Sequence, residues 1–119
     1  MIRIINYSGR QRMLSQRLCL YYIGARLFSK QKNDYKLVLR RTFQQFDEVV
    51  TKLITSSYNN TAIQDGLSKV LFYWEPLKTD EHAIYKGTKE IATIYKNTNF
   101  LTESFDIVTG LYETQIGTK

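Results

Sequence analysis

Ile5-Asn6-Tyr7-Ser8-Gly9-Arg10-Gln11-Arg12-Met13-Leu14-Ser15-Gln16-Arg17-Leu18 is the stretch on which the reading of this chain turns. Placed on a helix and continued to Phe28, it spaces Tyr7, Gln11, Leu14, Leu18, Tyr21, Ala25 and Phe28 by alternating steps of four and three. That alternation predicts a seam facing a partner helix. Arg3, Arg10 and Arg17 recur every seventh residue and so form a second line along the same helix, with Arg12 beside it. Gly9 stands between them, although glycine costs a helix interior roughly 1 kcal/mol relative to alanine. A glycine at such a place lets another backbone or a small ligand come close. Guanidinium groups on successive turns beside it offer a fixed fork of donors suited to a small oxyanion. The ordinary role of a helical arginine is a solvated group or the partner of a carboxylate, and spacing alone does not separate the two roles.

The remaining helices announce themselves in the same way. Ser29-Lys30-Gln31-Lys32-Asn33-Asp34 is a polar break in which Asn33 or Asp34 is suited to cap the next helix. Leu39, Phe43, Phe46, Val50 and Leu53 then predict a second amphipathic helix from about Tyr35 to Ser56. Asn59-Asn60-Thr61 reads by letter as a glycosylation tripeptide and by chemistry as a turn with a helix cap. A third helix carries Ile63, Leu67, Val70 and Trp74 and is expected to end or bend near Pro76, with an irregular elbow from Pro76 to His82. From Ile84 the alternation runs through Gly87, Ile91, Ile94, Thr98, Leu101, Phe105, Val108 and Tyr112, predicting one long fourth helix ending near Gly117.

Four seams joined by short polar turns predict an all-α chain, an antiparallel up-down four-helix bundle, with residues 1–119 forming a single domain. With one Pro and six Gly, the chain has too few breakers for many short strands. Met13, Leu20, Ile23 and Leu27 are left over from the seam of the first helix and are free to serve either the core or a second subunit. Cys19 is the only cysteine, which excludes an intramolecular disulfide, and its place between Leu18 and Leu20 suits a small apolar residue.

No reacting constellation emerges, so the chain is read as not an enzyme. His82 is the only histidine and has no companion for a metal site or a triad. Asp47, Glu48, Asp80, Glu81, Glu90, Glu103, Asp106 and Glu113 are scattered at helix-surface positions, as expected of solvated or ion-paired groups. There is no phosphate-binding glycine loop, and no cofactor or metal is expected. A net charge of +6 admits nucleic acid, anionic lipid and small anions as partners. The aromatics fall mostly on seam positions and the charges are spread over all the helices, so nucleic acid ranks low. A bundle that only dimerises or binds a protein partner is the other alternative. No run of about 18 apolar residues is present to span a membrane.

The segment Asn6 to Leu18, NYSGRQRMLSQRL, resembles the opening helix of the PilJ-type sensor domain found at the front of type IV pilus chemotaxis transducers. More loosely it resembles the first periplasmic helix of the nitrate/nitrite sensor kinases. The run from Gly9 to Arg17 carries the likeness, and Trp74-Glu75-Pro76-Leu77 and the spacing Asn97, Leu101, Val108, Tyr112 also fit. The resemblance implies a periplasmic ligand-binding domain of a bacterial chemoreceptor or sensor kinase, cut from a longer receptor anchored by flanking transmembrane helices. It implies a homodimer in which a small anion, nitrate or nitrite among the possibilities, binds between paired first helices. Carried over by the motif, Arg17 flanks the anion from each subunit, with Gly9, Arg12 and Ser15 lining or supporting the pocket and Asn6 and Arg10 completing it. Arg10 follows the PilJ-type pattern rather than the kinase-type one.

Overall fold

The computed structural model describes residues 1–117. Among them 89% are helical and none form a strand, so the all-α expectation holds at that level. Five α-helices succeed one another as α1 (Ile2–Leu27), α2 (Lys32–Ile54), α3 (Thr61–Thr79), α4 (Glu81–Lys86) and α5 (Ile91–Gly117), with a single 3-10 turn over Ser29–Gln31 between α1 and α2. The fold is compact and bundle-like, elongated to 52 × 22 × 19 Å. Helix α1 lies along both α2 and α5, and α3 lies along α5.

The seams of α2, α3 and α5 are where the spacing puts them. Leu39, Phe43, Phe46, Val50 and Leu53 are buried, as are Ile63, Leu67, Val70 and Trp74, and Ile94, Leu101, Phe105, Val108 and Tyr112. Helices α2 and α3 meet through large side chains rather than by close backbone approach. The Trp74 ring lies between Phe43 and Phe46, at centroid distances of 4.6 and 4.5 Å, and Phe46 meets Phe105 edge-on at 5.5 Å. Such offset and edge contacts add to the area that each ring buries.

The seam of α1 is only partly where the spacing puts it: Gln11, Leu14, Leu18 and Ala25 are buried as expected. Ser8, Gln11, Leu14, Ser15, Leu18, Cys19, Tyr22 and Ala25 are the buried side chains, whereas Tyr7 and Tyr21 are half-buried and Phe28 is exposed. Phe28 is the C-cap of α1, already outside the helix, and with Tyr21 it packs on Tyr35 at the α1–α2 turn. The buried face of α1 mixes Leu14, Leu18 and Tyr22 with small or polar groups, Ser8, Gln11 and Ser15, that are hydrogen-bonded. Ser8 Oγ and Thr109 Oγ1 are 2.7 Å apart, and the Gln11 amide donates to the Phe46 carbonyl at 2.9 Å.

Three boundaries also differ. Helix α2 begins at Lys32 without a side-chain cap, so Asn33 and Asp34 lie inside its first turn. Helix α3 runs through Pro76 to Thr79. Proline forfeits only the one bond to residue i−4, here Phe72, whose side chain is on the exposed face where water reaches the backbone. The expected elbow is therefore the end of α3 followed at once by α4, with Asp80 as the junction. The long fourth helix is in fact two, because Gly87 takes the left-handed conformation at φ 73° and caps α4, with Thr88 N–H bonded to the Ala83 carbonyl. That pattern ends a helix. Asn60 caps α3, its Oδ1 accepting from Ile63 N–H at 2.9 Å, as the turn chemistry predicts.

Candidate functional site

The six residues singled out on α1 occupy three different surroundings. Asn6, Arg10 and Arg17 are exposed, Arg10 at the edge where α1 meets α2. Arg3, Arg10 and Arg17 form no ion pair or hydrogen bond among the described residues. Arg12 leaves the helix on another side, where its Nη1 meets Asp106 Oδ1 of α5 at 2.7 Å and its Nε donates to the Gly9 carbonyl at 3.4 Å. Ser15 is fully buried and donates to the Gln11 carbonyl at 2.7 Å, one turn back. Its hydroxyl thus belongs to the interior of α1 and lines no open space. At about 100° per residue, Arg12 and Arg17 point about 140° apart. One protomer does not bring them together.

The exposed face of α1 carries a second seam. Ile2, Asn6, Gly9, Met13, Gln16, Leu20, Ile23 and Leu27 step by four and three without interruption. Ile2, Met13, Leu20 and Leu27 are 71%, 43%, 61% and 63% exposed, so the protein's own core does not account for them. Gly9 sits on this line. A Cβ there would meet only the far end of the Arg12 side chain at 3.4 Å and a Thr109 methyl at 3.8 Å. Both are ordinary contacts. Nothing inside the chain demands a glycine at this point, and a helix would be more stable with alanine. Arg3, Arg10 and Arg17 come directly after Ile2, Gly9 and Gln16 and edge the seam on one side, while Arg12 edges it on the other. In coiled-coil terms these are the flanking positions that select a partner.

Two hollows adjoin this face. One of about 350 Å³ opens between α1 and α5, lined chiefly by Gln16, Cys19, Leu20, Ile23, Tyr95 and Thr98. Burial pushes the Cys19 thiol up, and a hydrogen bond with Thr98 only partly offsets it. The thiol is therefore kept protonated and is no poised nucleophile. The other hollow, about 120 Å³, lies between α1 and α2, where Arg10 borders Tyr7, Leu14, Gln45, Glu48 and Val49.

Three carboxylates elsewhere are held in ion pairs. Asp47 pairs with Lys78, Asp80 with Lys89 and Asp106 with Arg12. Among the described residues no three His, Cys, Asp or Glu side chains gather as metal ligands, and His82 is exposed on α4. No helix among them is long and apolar enough to cross a membrane. No protein-family model matches this sequence, and neither the curated proteins nor the solved structures hold a match to it.

Met13, Leu20, Ile23 and Leu27 were legible as surplus apolar residues, but the membership of Ile2, Gly9 and Gln16 in the same line was not. The signal was present in the unbroken four-three spacing. It was masked because Tyr7, Tyr21 and Phe28, being larger and more apolar, drew the seam onto a neighbouring phase.

Proposed function

We propose that this chain is the extracytoplasmic ligand-binding domain of a bacterial chemoreceptor or sensor kinase, of the PilJ-type kind, with its four long helices running up and down in antiparallel order. It acts as a homodimer through the outer face of α1, holds a small anion at that interface, and passes the signal to an output that lies outside this chain. The observation that carries this reading is the exposed second seam, edged on one side by Arg3, Arg10 and Arg17, which have no carboxylate of their own.

The physical logic is direct. Pairing two copies along the seam buries Ile2, Met13, Leu20 and Leu27, and Gly9 allows the helices to approach closely. In a parallel pair, the flank bearing Arg17 of one protomer meets the flank bearing Arg12 of the other. Like charges then face each other, that of Arg12 partly offset by Asp106, and oppose association. An anion between them removes the repulsion and supplies charge-assisted hydrogen bonds, coupling ligand binding to the packing of the two helices. A shift of an ångström or two between such helices is enough to signal.

Sedimentation of the purified domain, with and without nitrate or nitrite at fixed ionic strength, tests the reading. The expected result is a dimer favoured by one planar anion, with that anion dependence lost in Arg17→Ala. A monomer whose melting temperature no small anion moves, and which Arg17→Ala leaves unchanged, would sink it. A dimer indifferent to every anion and to Arg17→Ala would favour the second reading, a dimerisation module in which the apolar seam acts without ligand.

A further inference from the structure

A separate basic cleft, lined by none of Arg3, Arg10, Arg12 and Arg17, lies where the end of α1, the start of α2 and the second half of α4 converge. It encloses about 200 Å³, and its charged lining is Arg26, Lys32, Lys36 and Lys86, with Ser29 and the Gly87 backbone beside them. No carboxylate lines it. Lys32, Lys36 and Lys86 form no ion pair or hydrogen bond among the described residues. Two carboxylates close to α4 have partners of their own. Asp80 is paired with Lys89, and Glu81 accepts from the Tyr85 hydroxyl. Asp34 is two residues from both Lys32 and Lys36, a spacing that does not share a helix face.

Two of these cations have a local reason to be there, since Arg26 and Lys86 sit in the last turns of α1 and α4, where a helix favours positive charge. Lys32 and Lys36 do not. They occupy the opening turns of α2, where the helix dipole disfavours them, and as an i, i+4 pair of like charge they destabilise the helix further. Arg40 continues the same line one turn on and is held over the Tyr85 ring at 4.3 Å. Arg26 is fixed from behind, its Nη1 donating to the Lys89 carbonyl at 2.7 Å and its guanidinium 6.0 Å from the centre of the Tyr22 ring. A held arginine and three unpaired ammonium groups around one small hollow make an arrangement that is unfavourable empty and favourable around several negative oxygens.

We propose that this cleft binds a small multivalent anion, a molecule carrying two or more carboxylate or phosphate groups, independently of the dimer seam. Its volume is below that of drug-sized sites, so the occupant is compact.

Titration calorimetry of the domain with citrate and, separately, with inorganic pyrophosphate, each at ionic strength matched with sodium chloride, tests this. The expected result is saturable binding of at least one of them at one site per chain. It should weaken tenfold or more in the Lys32→Gln/Lys36→Gln double variant and stay unchanged in Arg17→Ala. Both lysines lie on the surface, so the variant is expected to fold, and its circular dichroism checks that. Comparison of the two probes distinguishes carboxylate from phosphate as the favoured group. Absence of binding by either probe, or equal binding by parent and double variant, overturns the proposal. So does a cleft that answers only to anionic lipid vesicles or to a short oligonucleotide. Loss of binding in Arg17→Ala but not in the double variant would assign the anion to the dimer seam instead.

Discussion

The indole Nε1 of Trp74 donates to the Asp47 carboxylate at 2.9 Å, tying the most voluminous fully buried side chain of α3 to the rim of α2. The ring fills the gap between two helices whose backbones stay apart, and its one polar atom is met at the edge of the core. Lys78 approaches the same carboxylate at 3.2 Å from a turn further along α3.

Asp47→Ala is expected to cost about 1–3 kcal/mol, because it strands a buried N–H, whereas Asp47→Asn keeps an acceptor oxygen and costs clearly less. Loss of the half-exposed Lys78 pair adds at most about 1 kcal/mol to either. Urea unfolding of both variants checks this. Equal losses would mean that the indole bond contributes little.

The same substitution at two glycines is expected to act in opposite directions. A Cβ on Gly66 would sit 2.8 Å from Val108 Cγ2, and Val108 is fully buried with no room to retreat. Overpacking of about 1–3 kcal/mol then meets or exceeds the helix gain of about 1 kcal/mol, so Gly66→Ala is neutral to destabilising. Gly110 has nothing within 4 Å of such a Cβ, so Gly110→Ala stabilises by up to about 1 kcal/mol. Thermal melting of the pair reads out the sign difference.

Met13→Glu combined with Leu20→Glu places charge on the outer seam of α1 and leaves the core untouched. Each change is expected to alter monomer stability by no more than about 0.5 kcal/mol while abolishing self-association. Sedimentation against urea unfolding separates the two effects. Self-association that survives both charges would place any interface elsewhere.

Alkaline pH is expected to weaken the fold between about pH 10 and 12. Burial pushes the Tyr112 hydroxyl up from 10.0 to about 12, and burial with the neighbouring Glu81 moves Tyr85 upward as well. In that window the unfolded chain has lost these protons and the folded one keeps them, so stability falls as pH rises; below pH 10 these groups contribute no slope. The urea midpoint should drop across the window, and Tyr112→Phe should flatten part of the drop. The Tyr112 hydroxyl reaches Asn59 Oδ1, so the same variant should lower stability modestly at pH 7.

How much of the fold was open to sequence reading depends on which residues carried the signal. Leu39, Phe43 and Phe46 on α2, and Leu101, Phe105 and Val108 on α5, hold an unbroken four-three alternation of large apolar residues, and the structure buries all six. On α1 apolar residues surround the helix, and Ser8 and Ser15 are buried beside the expected Gln11 because close packing there needs small or hydrogen-bonded groups. Hydrophobicity therefore pointed to Tyr7 and Tyr21 instead. The break at Gly87 was invisible to periodicity because Ile84, Ile91 and Ile94 stay in register across it. Its trace was the polar run Thr88-Lys89-Glu90. The basic cleft was hidden for another reason, since Arg26, Lys36 and Lys86 are distant in sequence and meet only when α1, α2 and α4 converge.

The links between α1 and α5 are spread along nearly the whole of their shared length. Ser8 meets Thr109, Arg12 meets Asp106, and both Tyr22 and Arg26 donate to the Lys89 carbonyl at the entrance to α5. From Ser8 to Tyr22 is about 21 Å of helix. Sliding one helix along the other would have to break this ladder at several rungs at once, so the pair resists shear and travels as a single beam. Any rigid displacement of α1 is therefore expected to carry α5 with it, as tilt or rotation of the pair rather than as sliding between them.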